Sequence, residues 1–330
     1  MTIINGIEID NINYEINDVK LSLINNTPLD NILHIIIVIS NPCQYAKRYI
    51  LARQFIKKFE NELNIKLYIV ELAYDNQAFY CTDSNNKNHL QLKTSTAPLW
   101  HKENMINIGV NKLLPNDWKA FAWIDADIEF ENNNWALDAL KILNGSKDVI
   151  QLFSHALDLD NNENIMNVFS SFGFQYCKKK KYSLLDNFNY WHPGFAWAIT
   201  RNAYKKIGGL YEYSILGSGD HNMALCFINK GLYSINDKAD NSYKQSIINF
   251  QNNCKNLRLG YIPGVIRHFY HGKKINRKYT ERWKILINCN YNPFLFIKKN
   301  NDNLLIPSEL CPVELLNDIF NYFKERNEDE

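Results

Sequence analysis

Two carboxylates stand two positions apart at the end of an apolar run in AFAWIDADIEF, Ala120–Phe130. If the run is an extended strand, the side chains of Asp125 and Asp127 share one face and project together from its end. Converging carboxylates at the carboxyl end of a buried strand suit a hard divalent cation, Mg2+ or Mn2+, and through it a diphosphate. Glu129 follows at the same spacing, and either joins the pair or continues the strand's outer face. Further along, Gly217-Ser218-Gly219-Asp220-His221 places an acid after two glycines where a helical segment begins. Such an acid is either a helix cap or, because glycines let a backbone approach a ligand, a catalytic carboxylate; on the sequence the two readings stand level. RHFYHG, ending at Gly272, supplies His268 and His271. Three residues apart, they cannot share a face of a flat strand, so at most one of them is expected to point into the crevice unless the chain turns, as Gly272 permits. The basic stretch Lys273-Lys274-Ile275-Asn276-Arg277-Lys278-Tyr279 follows, and a diphosphate near a metal accounts for it.

These residues need a scaffold that gathers distant segments. Leu33–Ser40 (LHIIIVIS) is a continuous β-branched run, the pattern of a strand buried on both faces. Asn41-Pro42 ends it, Cys43–Leu63 shows helical apolar spacing with Lys and Arg on the other face, and Leu67–Leu72 is a second buried strand. Strand, helix, strand in that order is the βαβ unit of a parallel sheet. A polar loop over Asp75–Lys93 and a helix over Lys102–Leu114 lead to the strand Trp118–Ile124 that delivers the aspartates. Ligands of open α/β sheets lie beyond the carboxyl ends of the strands, so Asn41, Pro42, Glu71, Asp125 and Asp127 are expected to border one crevice. In the second half, Trp191-His192-Pro193-Gly194 precedes the apolar Phe195–Thr200. Trp191 either packs in the core or offers a face to sugar C–H groups, with Gly194 leaving room. A short helix over Arg201–Lys206, a Gly208-Gly209 turn, a helix over His221–Lys230 and a strand pattern over Gly260–Tyr270 follow. Val313–Lys324 reads as an amphipathic helix, and the acidic Glu325–Glu330 is expected to fray.

Composition sets the outer limits. At 330 residues and 46% hydrophobic content the chain buries a large core, which excludes disorder. A net charge of +2 gives no support to nucleic-acid binding, and the run Lys178–Lys181 reads as a solvated loop. Seven scattered cysteines without a CxxC pair resemble a reduced intracellular protein. The opening MTIINGIEIDNINYEIND lacks the pattern of a signal peptide, and the best apolar run is strand-sized, so a soluble cytoplasmic protein with no membrane segment is expected. The division expected is an N-terminal extension with a small hairpin over 1–32, a main domain over 33–285 and a helical tail over 286–330. Within the main domain, 33–150 forms a nucleotide-binding half and 151–285 an acceptor half.

In their order these segments resemble the GT-A fold glycosyltransferases, and within them the inverting β-1,4-galactosyltransferase and N-acetylgalactosaminyltransferase group, over about Leu33 to Trp283. Four stretches carry the resemblance: WHKENMINIGVNKLL (Trp100–Leu114), FAWIDADIEF, GFAWAITRNAYKKIGGLYE (Gly194–Glu212) followed by LGSGDHNMALCFINKG, and VIRHFYHGKK. The resemblance implies an α/β, Rossmann-like fold with a mostly parallel sheet flanked by helices. It implies that Asp127 ligates Mn2+ or Mg2+, that Asp125 contacts the ribose or the metal, and that His268 is the histidine ligand, with His271 its rival. Lys102, beside Trp100, falls where the family places a basic residue near the nucleotide. Asp220 becomes the general base that deprotonates an acceptor hydroxyl while the sugar is displaced from the opposite face. The donor implied is a UDP-sugar carrying a hexose or N-acetylhexosamine. Asn41, Pro42, Glu71, Lys273, Lys274, Arg277 and Tyr279 join Trp100, Lys102 and Asp125 on the donor side. Trp191, His192, Gly194, Gly219 and His221 lie on the side of a glycan or glycoconjugate acceptor. The sequence departs from the family around the acid, where Tyr213, Ile215 and Ser218 replace tryptophans and further carboxylates, and neither the membrane anchor nor the disulfides of secretory members are expected. Two other readings remain open: a nucleotidyltransferase acting on a sugar phosphate, with Glu129 as its third acid, and a non-catalytic carbohydrate-binding module.

Overall fold

The computed structural model describes residues 3–4, 7–8, 18–60, 62–182 and 191–330. The first described elements are a small antiparallel hairpin, β1 (Ile3–Ile4) and β2 (Ile7–Glu8), and the helix α1 (Asp18–Asn25). The hairpin expected within 1–32 is therefore present, residues 18–32 add α1 and its link to the next strand, and 1–2, 5–6 and 9–17 lie outside the described residues. Then come β3 (Leu33–Ser40), α2 (Ala46–Phe59), β4 (Ile65–Tyr74), β5 (His89–Thr94), α3 (Lys102–Leu113) and β6 (Ala120–Ile124). The four strands β3 to β6 pair in parallel, with Ile35 opposite Leu67 on one side and Ala122 on the other. The alternation along β3 shows why a continuous apolar run is required. Leu33, Ile35, Ile37 and Ile39 pack with Phe55 and Phe59 of α2, while Ile36 faces the layer containing Met105 and Ile106 of α3. Residues 75–93 were expected to be loop throughout, yet β5 begins at His89. It is an edge strand that buries Leu92 and leaves Lys93 exposed, too little apolar surface to read as a strand in sequence.

Beyond β6 the chain builds β7 (Ile128–Phe130), α4 (Trp135–Leu143), β8 (Val149–Gln151), β9 (His155–Leu159), β10 (Ile165–Ser170) and α5 (Phe172–Cys177). These are followed by β11 (Ala196–Thr200), α6 (Arg201–Ile207), α7 (Gly219–Phe227), α8 (Asn241–Asn253), β12 (Leu259–Tyr261) and β13 (Val265–His268). The large sheet runs β12-β8-β11-β6-β3-β4-β5, mostly parallel, with β11 antiparallel to both neighbours. This is the Rossmann-like α/β arrangement expected. A second sheet, β10-β9-β13-β7, was not foreseen, and it explains a misread element. Gly260–Tyr270 looks like one strand but is two, because Pro263-Gly264, with Gly264 at φ +150°, diverts the chain from the large sheet to the small one. The same transfer happens at Asp125–Asp127, between β6 of the large sheet and β7 of the small.

The chain closes with α9 (Trp283–Asn288), α10 (Pro293–Phe296), the hairpin β14 (Ile297–Lys299) and β15 (Leu305–Pro307), and α11 (Val313–Glu325). Residues 325–330 do not fray. Tyr45 Oη donates to the carbonyls of Phe323 (2.9 Å) and Lys324 (2.7 Å). The Asp329 carboxylate accepts from the amides of Ala46 (3.0 Å) and Lys47 (2.8 Å). Tyr45, the residue ahead of α2, makes no side-chain cap, so Asp329 satisfies donors that the helix start leaves open, and its charge suits that end of the helix.

Helix α3, which starts at Lys102, lies against β3 and β4 through Gly109: a Cβ there would sit 3.0 Å from Val70 Cγ2 and 3.1 Å from Ile36 Cγ2. Gly109→Leu is therefore expected to overpack this interface and destabilise the fold by ~1–3 kcal/mol. The measurement is urea denaturation, where the midpoint should fall with the slope unchanged.

Candidate functional site

Asp125-Ala126-Asp127 forms a turn, and its backbone is tied on both sides. The Asp125 amide donates to Phe195 O (2.8 Å), and Asp127 O accepts from the Phe269 amide (2.8 Å). As a turn and not a strand, it sends the two carboxylates to different partners. Asp125 Oδ1 meets Lys102 Nζ at 2.5 Å, and the same ammonium donates to Asp220 Oδ2 at 2.8 Å. Asp127 instead forms a group with His268 and His271, whose ligand atoms all lie within 4.8 Å of one another. Asp125 does not belong to that group.

The histidines reach it by different routes. His268 ends β13, where the sheet register sets it opposite Ile128 and beside Asp158 of β9. Its Nδ1 donates to Asp158 Oδ1 (2.7 Å), and its Nε2 lies 3.8 Å from Asp127 Oδ2. The strand then stops, the chain turns through Gly272 at φ +82°, and His271 Nε2 comes to 3.0 Å from the same oxygen. Both histidines thus face the acid. The fit to a divalent cation is supported by Asp127 Oδ1, which is buried and has no hydrogen-bond partner. Burial lowers the His268 pKa, favouring the neutral ring that a metal requires.

The group opens on a cavity of about 880 Å³ that also holds Lys102, Asp125 and Asp220. Of the remaining donor-side residues, Pro42, Trp100, Lys274, Arg277 and Tyr279 line it. Asn41 lines it too, while its amide group holds the Tyr45 backbone by two bonds, of 2.8 and 3.0 Å. Glu71 does not border the crevice. Its carboxylate accepts from the Tyr80 and Cys81 amides and Thr82 Oγ1, at 2.7 to 3.0 Å, and anchors the loop after β4. Lys273 pairs with Glu330 at the surface and leaves the cavity to Lys274. Glu129 pairs with Lys58 on the outside of the second sheet and supplies no third acid.

Of the residues expected on an acceptor side, His192, Gly194 and His221 line the cavity. Trp191 belongs to the core, packed edge-on to Phe172 at 4.9 Å and Tyr182 at 5.3 Å. His192 stacks on Phe195 at 4.1 Å; burial, with His268 and Lys274 adding to it, takes its pKa down to about 3. Burial, then Arg282, takes His221 down to about 4.

Asp220 is not a helix cap. Ser218 stands at the cap position of α7, in the left-handed region at φ +76°. Asp220 uses Oδ2 on Lys102 and keeps Oδ1 buried without a partner. Gly219 lies beneath it for a steric reason, since a Cβ would fall 2.2 Å from Glu103 Oε1. Burial, with the negative charge of Asp220, pushes the Glu103 carboxyl up to about 8, so it keeps its proton at neutral pH. Burial also raises Asp125, to about 6, with Lys102 pulling the other way.

Sequence reasoning missed Arg48, Glu103, Asp158, Arg282, Arg326 and Glu328, all of which lie in or against this site. Asp158 had a signal, a lone acid in the apolar strand HALDL. Arg48 looked like one more cation on the polar face of α2. Arg282 donates to Leu216 O (3.3 Å), Tyr322 Oη (2.9 Å) and Ser218 Oγ, and so fixes the loop before Asp220.

No family model and no curated protein matches the chain. Among solved structures, the chain is similar to that of a "putative nucleotide-diphospho-sugar transferase" from Desulfovibrio desulfuricans G20. The two are 10% identical with a TM-score of 0.33, over 71% of this chain and 81% of that one. A likeness at that score carries no functional argument. All seven cysteines are free thiols, and among the described residues no helix is long and apolar enough to cross a membrane.

Glu103 yields a prediction about pH. Folding raises its pKa from 4.5 to about 8, so as pH rises through that window the unfolded chain releases its proton first and native stability falls. Glu103→Gln removes this dependence. Melting temperatures measured from about pH 5 to about pH 8 should show the wild-type protein losing ground to the variant as pH rises.

Proposed function

We propose that this protein is a metal-dependent glycosyltransferase of GT-A type, moving a hexose or N-acetylhexosamine from a UDP-sugar to a hydroxyl of a glycan or glycoconjugate with inversion. One observation carries the reading: a single cavity holds the metal-fitting group Asp127, His268 and His271 and, separately, a carboxylate held by Lys102 with one oxygen free. Nucleotide binding alone has no use for the second feature.

The divalent cation, Mn2+ or Mg2+, supplies a Lewis acid for the charge that develops on the departing diphosphate. Arg277 and Lys274, which line the cavity beside that group, add cationic donors for phosphate oxygens. The Asp220 carboxylate accepts the acceptor's hydroxyl proton as the hydroxyl oxygen bonds to the sugar's anomeric carbon and the bond to the diphosphate breaks. Lys102 holds Asp220 by Oδ2 and thereby orients the carboxylate. The absence of a side chain at Gly194, whose Cβ would lie 3.9 Å from Asp220 Oδ2, leaves space for the acceptor there.

Incubation with UDP-sugars and Mn2+ is expected to release UDP, slowly without an acceptor. Asp127→Ala should abolish metal-dependent binding of the donor and transfer, and full activity in that variant would remove the reading. Asp220→Asn is expected to bind UDP with nearly unchanged affinity by calorimetry and to lose about 10²–10⁴-fold in kcat. A loss of UDP affinity with kcat preserved would reassign Asp220 to binding. Pyrophosphate released from a nucleoside triphosphate, with no turnover of UDP-sugars, would make the enzyme a nucleotidyltransferase.

A further inference from the structure

His268 and His271 present the same ring atom to Asp127, Nε2, and each turns Nδ1 toward a buried carboxylate. Asp158 Oδ1 lies 2.7 Å from His268 Nδ1, and Glu328 Oε2 lies 3.5 Å from His271 Nδ1. The tautomers follow from which groups are able to donate. Arg277 Nη2 is 2.9 Å from His271 Nε2; a guanidinium only donates, so Nε2 carries the lone pair and the ring proton sits on Nδ1, facing Glu328. At His268 the Asp158 carboxylate oxygen lies 2.7 Å from Nδ1 as an acceptor, which again places the proton on Nδ1 and the lone pair on Nε2. Both rings therefore carry their lone pair on Nε2, the ring nitrogen nearer Asp127, and that of His271 accepts from Arg277.

We propose that Asp158 and Glu328 are the positioning residues of a metal centre, and that residues 326–330, by delivering Glu328, complete it. The inference rests on the metal reading of Asp127, His268 and His271 given above. Carboxylates behind ligating histidines fix the ring orientation and raise the basicity of the ligand nitrogen. Glu328 is only 2% exposed, and its position is over-determined. Arg48 grips it with two nitrogens, Nη2 at 2.7 Å from Oε1 and Nε on Oε2, and Arg326 Nε adds a contact of 2.7 Å to Oε1. Both guanidinium groups lie over the Trp100 ring, at 5.9 and 5.0 Å. The backbone is fitted to the loop that carries His271: a Cβ on Gly272 would stand 2.9 Å from Asn327 O and from Glu328 Cα. Neutralising two arginines alone would not require Glu328 to lie beside His271 Nδ1, nor this segment to pack on Gly272. Because the Glu328 contact is longer than that of Asp158 and its oxygens are shared with two arginines, its effect on the metal is the smaller of the two.

The test reads metal, not turnover. Mn2+ is titrated into the protein without donor or acceptor, and the signal of free Mn2+ is followed by electron paramagnetic resonance. The wild-type protein is expected to take up the ion and Asp127→Ala to take up none; a wild-type protein that binds no Mn2+ removes the metal reading and this proposal with it. With wild-type binding in hand, Asp158→Asn should weaken Mn2+ by about 10–100-fold and Glu328→Gln by about 10-fold, with Glu328→Asp recovering part of the loss. Unchanged affinity in Glu328→Gln overturns the role of residues 326–330 while leaving the metal site standing, and tighter binding makes Glu328 a plug in place of a support. One readout needs no variant, so it survives a failure of Glu328→Gln to fold. In 15N-histidine NMR of the wild-type protein, both rings should carry their proton on Nδ1, and Mg2+ should shift Nε2. A proton on His271 Nε2 overturns the assignment.

Discussion

One buried ammonium makes the central cavity tenable. Lys102 lies between Asp125 and Asp220, and the pair of carboxylates outweighs burial to hold its pKa well above the ordinary lysine value. Without that charge two acids and the nearby Glu103 would crowd a poorly solvated space, at a desolvation cost of several kcal/mol per ion. The crowding is relieved in two ways: the single charge of Lys102 is shared between the two acids it touches and offsets one of them, and Glu103 retains its proton. Lys102 begins α3, Asp125 opens the turn after β6, and Asp220 sits in the first turn of α7, so the contact also locks the early strands to the later helices.

The second sheet is what separates the site into two working parts. Had Asp125 and Asp127 continued one strand, they would have shared a face and a partner. Because the chain passes from one sheet to the other between β6 and β7, Asp125 remains with Lys102 and Asp127 joins the histidines. The parallel pairing of β13 with β9 then places Asp158 beside His268 with no further device. A local backbone event thus yields two chemically distinct carboxylates from a motif that looks symmetrical in sequence.

How much of this was legible depends on the range of the physics involved. β3 and α3 were legible to within a residue, because buried strands and amphipathic helices write their burial into local periodicity. So were the residues that meet at Asp127, since histidines and acids near strand ends are few. What could not be read were pairings across long sequence separations. Glu328 looked like one more acid in a polar tail, and only its meeting with Arg48 and Arg326 gives it a buried role. Glu71 failed in the opposite sense. It stood at a strand end, as a site residue should, but three hydrogen-bond donors from residues 80–82 consume its carboxylate.

The charge pattern around the metal-fitting group follows from the same economy of buried ions. Arg48, Lys274, Arg277 and Arg326 surround Asp127, Asp158 and Glu328, leaving a small positive excess before any ligand arrives. A divalent cation added alone makes that excess larger, whereas a cation with a diphosphate returns the cavity close to balance. If the cavity holds a metal and a nucleotide as proposed, the repulsion of like charges where water is scarce would make each ligand favour the other's entry. The ordering role of Glu328 fits that scheme. On that proposal the negative charge of Glu328, set against Arg48 and Arg326, would offset part of their repulsion of the cation before the diphosphate comes.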